Sequence, residues 1–210
     1  MTQVGETARD RISRRRVDKF TERREQLAEA ALLTLSELGY ARTSLREIAQ
    51  NSEFSHGVLH YYFTDKVDLI TQCVRQYKAR CVSRYDQIVA TARTAGELRG
   101  GFAEAMARTL REDASMHRLW YDLRTQSLFE ASFRVDVAAI DQSLERMIWR
   151  VVDQYAQLSG QPPAVSPQVA YAIFDGIFQH CLLRQVGGDP TAAADLTDRV
   201  DAAMGLLLVG

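Results

Sequence analysis

A chain of 210 residues with 46% apolar and 25% charged content lies in the ordinary globular range, enough for one domain or two small ones. No run of 18 apolar residues occurs and the opening MTQVGETARDRISRRR has no apolar leader core, which argues against a membrane span or secretion and predicts a cytoplasmic protein. The net charge of -1 argues against coating nucleic acid along the whole length, yet the charge is uneven: residues 1–80 carry 14 Lys and Arg against 11 Asp and Glu, residues 81–210 carry 12 against 16.

In chain order, residues 1–20 hold Arg9, Arg11, Arg14, Arg15, Arg16 and Lys19 without apolar periodicity, and are expected to form a flexible basic arm. From Thr21, a candidate N-cap, Leu27, Ala30, Ala31, Leu35 and Leu38 recur at helical spacing up to Gly39, a stop signal. Ser44 and Glu47 have capping-box spacing and begin a second helix with Leu45, Ile48 and Ala49 facing inward. Asn51–Phe54 breaks that pattern, and Ser55 caps a third, barely two-turn helix, HGVLHYYF, with Leu59 and Phe63 toward the core. A helix this short holds only by packing on the first.

Asp65 then opens a long amphipathic stretch expected to run to about residue 93. Further helices are expected at about 97–111, 114–129, 133–158, 167–186 and 192–208, separated in part by SGQPPAVSP and VGGDP. No segment alternates as a strand does. The fold class is therefore all-α, about nine helices, with an N-terminal three-helix helix-turn-helix domain at 21–68 and a helical second domain at 69–210.

Two short helices at a fixed angle are a common way to present side chains to the DNA major groove. The third helix has His56, Gly57, Val58, His60, Tyr61 and Tyr62 to expose. Histidine and tyrosine hydrogen-bond to phosphates or base edges, glycine admits close backbone approach, and valine suits a thymine methyl. Arg46 is long enough for a guanine edge or a phosphate. Thr43 and Ser44 place hydroxyls and helix N-terminal amides where a phosphate would sit, and Lys66 suits the opposite strand. Ser44 and Ser55 taken singly read as ordinary caps; their joint spacing with this polar and aromatic face favours a groove surface.

Residues 21–70, with LSELGY, TS, IA, S-x-G-x-L, YYF and K-x-x-L in order, resemble the DNA-binding region of TetR-type transcriptional regulators. The resemblance implies that Arg46, His56, Gly57, Val58 and His60 face the groove while Thr43, Ser44, Tyr61, Tyr62 and Lys66 contact the backbone, with Ser55 capping the helix beside them. Two departures stand out. Ser52-Glu53-Phe54 replaces the family's Ala-Gly-Val, which predicts a non-glycine residue at positive φ, and His60 replaces a customary Tyr.

The resemblance further implies a second domain that binds a small-molecule effector and dimerises through its last two helices. AYAIFDGIFQHCLL is similar to the choline-responsive betaine-pathway repressor branch. Trp120, Tyr121, Arg124, Phe129, Trp149 and Phe174 are candidate pocket residues, weighed against ordinary core packing. Phe174, Phe178, Leu182, Leu196, Met204 and Leu207 are candidates for the dimer interface, because reading two half-sites about 34 Å apart requires a two-fold dimer.

Cys73, Cys81 and Cys181, an odd number without CxxC spacing, read as reduced thiols, and His180 beside Cys181 completes no metal site. No metal or cofactor is expected. The leading reading is a homodimeric repressor released from a double-stranded DNA operator by an effector, with an activator or an architectural DNA-binding protein as alternatives. A helical enzyme is disfavoured, because GxSxG, HExxH and GxxxxGK[ST] are all missing.

Overall fold

The computed structural model describes residues 8–209, with side chains from Val17 onward. The chain divides between Gln76 and Tyr77 into two compact units, and the division falls inside a helix rather than at its start.

The first unit contains α1 (Ala8–Leu38), α2 (Leu45–Gln50), α3 (His56–Tyr62) and the first part of α4 (Lys66–Cys81). The backbone is already helical from Ala8, so Thr21 is an interior residue of α1 and the stretch read as an arm is helical from there to Phe20. Arg, Lys and Glu are good helix formers without an apolar stripe, which periodicity alone does not register. Met1–Thr7 lie outside the described residues. Gly39 ends α1 at φ 73, its N–H donating to Leu35 O at 2.8 Å.

Three side-chain caps set the short helices. Ser44 Oγ accepts from Glu47 N at 3.2 Å, Ser55 Oγ from Val58 N at 3.3 Å, and Asp65 Oδ1 from Asp68 N at 2.9 Å. Leu27, Ala31, Leu35, Ile48, Leu59, Leu69 and Ile70 are completely buried and make the core of this unit. The Cys73 thiol is buried there too, donating to Ala28 O at 3.1 Å, and burial pushes its pKa far up. That thiol is a packing group, not a nucleophile.

The turn between α2 and α3 corrects the sequence reading. Among the described residues no non-glycine residue has positive φ, and Asn51 sits at φ -105. Side chains close the turn instead: Asn51 Nδ2 donates to Glu47 O at 2.9 Å and Ser52 Oγ accepts from Phe54 N at 3.3 Å.

The second unit comprises the end of α4, then α5 (Asp86–Thr91), α6 (Ala95–Glu112), α7 (Ala114–Gln126), a single 3-10 turn at Ala131–Phe133, α8 (Arg134–Ser159), α9 (Pro167–Val186) and α10 (Ala192–Leu206). The stretch expected as one long fourth helix is thus two. Arg84, in the turn between them, reaches α6 and its C-cap, donating to Thr109 Oγ1 and to Asp113 Oδ2, each at 2.7 Å. Its neighbour Tyr85 is buried edge-on to Phe102, with ring centroids 4.9 Å apart. These two long-range anchors draw the chain off a straight helical path.

Thr94 caps α6, Ser166 caps α9 with Pro167 at its first turn, and Gly160 at φ 66 closes α8. Phe102, Trp120, Phe133 and Phe174 are the largest side chains sealed in the core of this unit. Past α10 the chain returns to the α8–α9 loop, where Ala164 N donates to Leu207 O at 2.7 Å. No strand occurs among the described residues beyond an isolated bridge between Pro163 and Leu208, and no described helix is long and apolar enough to cross a membrane.

Candidate nucleic-acid interface and ligand cavity

The first unit presents one polar face built on α3 and the start of α2. Ser44, Arg46, Ser55, His56, Gly57, His60 and Tyr61 are exposed, Val58 and Tyr62 partly so, while Leu59 on the opposite side is completely buried. That division between faces is what groove insertion requires. His56 Nε2 and His60 Nε2 lie 3.1 Å apart, one helical turn from each other, so each ring fixes the other's orientation. Arg42, just before Thr43, is exposed as well; the sequence motif had not singled it out.

Gly57 leaves open space on the exposed side of α3. A Cβ there would meet nothing within 4 Å, and its φ is not positive. Glycine in a helix is less stable than alanine by about 0.5–1 kcal/mol.

Behind this face a second layer holds α3 in place. Arg24 of α1 donates to Tyr62 O at 3.0 Å and to both oxygens of Asp68, at 2.6 and 3.3 Å, with its guanidinium 4.6 Å from the centre of the Phe63 ring. Asp68 also accepts from Thr64 N at 3.1 Å. Phe20 stacks on Tyr62 at 4.8 Å. The C-terminal end of the short helix is therefore bolted to α1 by Arg24, 38 residues from Tyr62 in sequence, which Asp68 of α4 holds in turn.

Two of the expected contact residues are placed differently. Thr43 is buried, 3% exposed, and its hydroxyl donates to Gly39 O at 2.6 Å, so it braces the end of α1 instead of offering a hydroxyl outward. Lys66 is half-buried, donating to Tyr40 O at 3.1 Å with its ammonium 3.9 Å from that ring's centre. An ammonium has three donors, so an outward contact remains open to Lys66.

Residues 27–73 match the family described as bacterial regulatory proteins, tetR family. Over 53 residues the chain is 42% identical to the HTH-type transcriptional regulator BetI of Paraburkholderia xenovorans, a match covering 25% of this chain and 27% of that protein. These residues form a TetR-type DNA-binding region. The chain aligns with only about a quarter of that BetI protein's length. A longer alignment, 89% of this chain and 81% of the relative, joins it at 21% identity to the HTH-type transcriptional repressor KstR of Mycobacterium tuberculosis. The crystal structure of a TetR-family regulator from Rhodococcus sp. superposes with TM-score 0.71 at 17% identity, covering 90% of this chain and all of the other. That last likeness extends the fold, and the fold alone, beyond the TetR-type region.

The second unit contains a partly open cavity of about 60 Å³. Trp120, Tyr121 and Phe174, all expected in a pocket, line it together with Lys78, His117 and Asp175. Arg124, Phe129 and Trp149 do not. Phe129 is 78% exposed, beyond the end of α7, and Trp149 directly follows the lining residues Met147 and Ile148 on α8 but is not itself part of the wall. Arg124 acts one step back. It pairs with Asp175 at 2.5 Å and with Asp141 at 3.4 Å, while Tyr121 donates to Asp175 at 2.9 Å and Tyr171 to Asp141 at 2.6 Å. Burial and the adjacent carboxylates push both tyrosine pKa values far up, so both phenols stay protonated donors.

The residues expected at a dimer interface need correction. Phe174, Phe178, Leu182, Leu196, Met204 and Leu207 are at most 5% exposed, so they build the core of their own unit. Helix α9 is apolar on more than one side, and its outward side chains are Val169, Leu183 and Val186, with Leu206 exposed near the end of α10. Periodicity marks an apolar stripe without saying which body covers it.

Proposed function

We propose that this protein is a homodimeric transcriptional repressor that reads an operator through α3 and is released from it by a small molecule held in the second unit. The observation that carries the DNA half is the exposed His56–Tyr61 face of a helix whose other side is sealed by Leu59, within a TetR-type region. Arg46, His56, Val58 and His60 contact base edges, and Ser44, Tyr61, Tyr62 and Lys66 contact phosphates. Two copies are required to span successive half-sites. The exposed Leu183, Val186 and Leu206 supply the apolar contact between them.

Release is a population shift. Helix α4 begins at Lys66 in the first unit and ends with Lys78 and Cys81, which line the cavity, so it is the element through which an occupant acts on DNA binding. A coupling of about 2.7 kcal/mol changes DNA affinity a hundredfold. The protein acts in the cytoplasm, without catalysing a reaction.

Gel-shift binding to the DNA upstream of the protein's own reading frame, with excess random-sequence competitor, tests this reading. The expected result is a complex of two protomers that survives the competitor. Equal loss on specific and random DNA would favour an architectural DNA-binding protein instead.

A further inference from the structure

Lys78 lies in the last turn of α4 and is 2% exposed, an ammonium inside the core of the second unit. Among the described residues no carboxylate stands within ion-pair distance of it. Its neighbours are the Nδ1 atom of His117 at 3.4 Å and the faces of Trp120 and Tyr77, with ring centres 5.0 and 5.5 Å from Nζ. A buried charge without a counter-ion is among the least favourable arrangements a fold can hold, and such groups are ordinarily paired.

The surrounding groups sharpen the case. Burial and the nearby cations hold the His117 pKa well down, so the ring is neutral at pH 7. With the Lys78 ammonium donating to Nδ1, the ring proton must sit on Nε2, a buried atom with no acceptor. Trp120 Nε1 is likewise a buried N–H with no acceptor. All three residues line the same cavity, so it gathers one cation and two unused donors.

Charges on the other walls are already matched or distant. Arg84, in the turn after α4, is paired with Asp113 at 2.7 Å. Asp175 on α9 and Asp141 on α8 are held by Arg124 and two tyrosine hydroxyls, leaving one net negative charge across the cavity that helps keep Lys78 protonated. Cys81 adds a thiol beside it, and α6 contributes Met106 and Thr109, which carry no charge. The remaining walls, including Phe174, Met147 and Ile148, are apolar.

We propose that this cavity is a receptor for a small carboxylate with a compact apolar tail, its head group accepting from Lys78 Nζ and Trp120 Nε1. The assignment rests on the effector-binding reading above for its consequence on DNA, but its binding chemistry is independently measurable. Such a ligand supplies the missing counter-ion and a missing acceptor at once. A quaternary ammonium would instead face the Lys78 charge.

The test is calorimetric titration of the full-length protein at pH 7 with straight-chain carboxylates from acetate to octanoate, the matched amides, and choline. At least one carboxylate is expected to bind while its amide and choline do not. Lys78→Met should weaken that binding at least thirtyfold, and Trp120→Phe should weaken it less while keeping the ring in place. Wild-type affinity should fall about tenfold or more between pH 7 and pH 9.5 as the ammonium is lost, and Lys78→Met should show no such decline. Failure of every carboxylate, equal binding of acid and amide, or unchanged affinity in Lys78→Met overturns the proposal. A carboxylate that binds through Lys78 but leaves the DNA complex intact upholds this receptor and defeats effector release, whereas release by choline does the reverse.

Discussion

Asp68→Ala is expected to lower the stability of the DNA-binding unit by about 2–3 kcal/mol and its operator affinity by at least tenfold, although Asp68 itself faces away from the groove surface. Hydrogen bonds to charged groups contribute about 1.5–3 kcal/mol each. Asp68 accepts two from Arg24 and one from Thr64 N, and the lower end of the range applies because both side chains of the pair are about one-quarter exposed. Its loss frees Arg24, whose other bond holds Tyr62 O at the end of α3. For a seven-residue helix, which has too few internal bonds to persist alone, that support decides its orientation. Thermal unfolding followed by circular dichroism, paired with gel-shift titration, checks both effects. Arg24→Lys should fall between wild type and Asp68→Ala, because an ammonium keeps the charge but not the forked geometry. A variant with unchanged melting temperature and affinity would show that α3 is positioned by its apolar contacts alone.

The second large effect is a pH dependence with a defined sign. Burial depresses the Lys78 pKa from its usual 10.5 to about 8, the Cys81 thiol and the carboxylates of Asp175 and Asp141 opposing the fall and Arg84 adding to it. Below pH 8 folded and unfolded chains both carry the proton, and the full penalty of the buried charge is present. Between about pH 8 and 10.5 the unfolded chain still holds a proton that the folded chain has released, so stability rises with pH. The total is on the order of 3 kcal/mol. Lys78→Met, similar in volume and uncharged, should therefore be more stable than wild type at pH 7 by roughly that amount. The gap should narrow by pH 9.5, before buried tyrosines such as Tyr85, pushed up to about 12, begin to oppose it. Urea unfolding at pH 7 and pH 9.5 measures the gap directly. A variant less stable than wild type at pH 7 would mean that Lys78 already has a partner. Retaining a destabilising ammonium in a cavity makes physical sense where a ligand completes it.

The parts of this fold that are local in sequence were legible. Ser44 with Glu47, Ser55 with Val58, and Gly39 after Leu38 are cap and stop signals whose partners lie within four residues; the Ser55 cap and the Gly39 stop form as their spacing predicts, and at Ser44 the hydroxyl half of the capping box forms. Groups whose partners lie far away were not. One local contact escaped as well: Thr43 has the residue type and place of a phosphate contact, yet its hydroxyl meets Gly39 O four residues back. The α4–α5 break depends on Arg84 meeting Thr109 and Asp113, 25 and 29 residues on. Likewise Phe178 and Leu182 lie on an apolar stripe, but only three-dimensional packing shows that their own unit covers it and that Leu183 and Val186 face outward. Lys78 gave no signal at all, because a lysine in an amphipathic helix normally ends in water.

The central claim is that α3 reads base sequence. Selection of bound sites from a randomised DNA pool by wild type and by His56→Ala, Arg46→Ala, Tyr62→Phe and Lys66→Ala tests it at the resolution of single base pairs. The expected result is that wild type returns a two-fold motif, that His56→Ala and Arg46→Ala each flatten it at particular positions by about 1–3 kcal/mol, and that Tyr62→Phe and Lys66→Ala weaken binding without altering it. A motif left intact by both His56→Ala and Arg46→Ala, or no motif from wild type, would contradict the account.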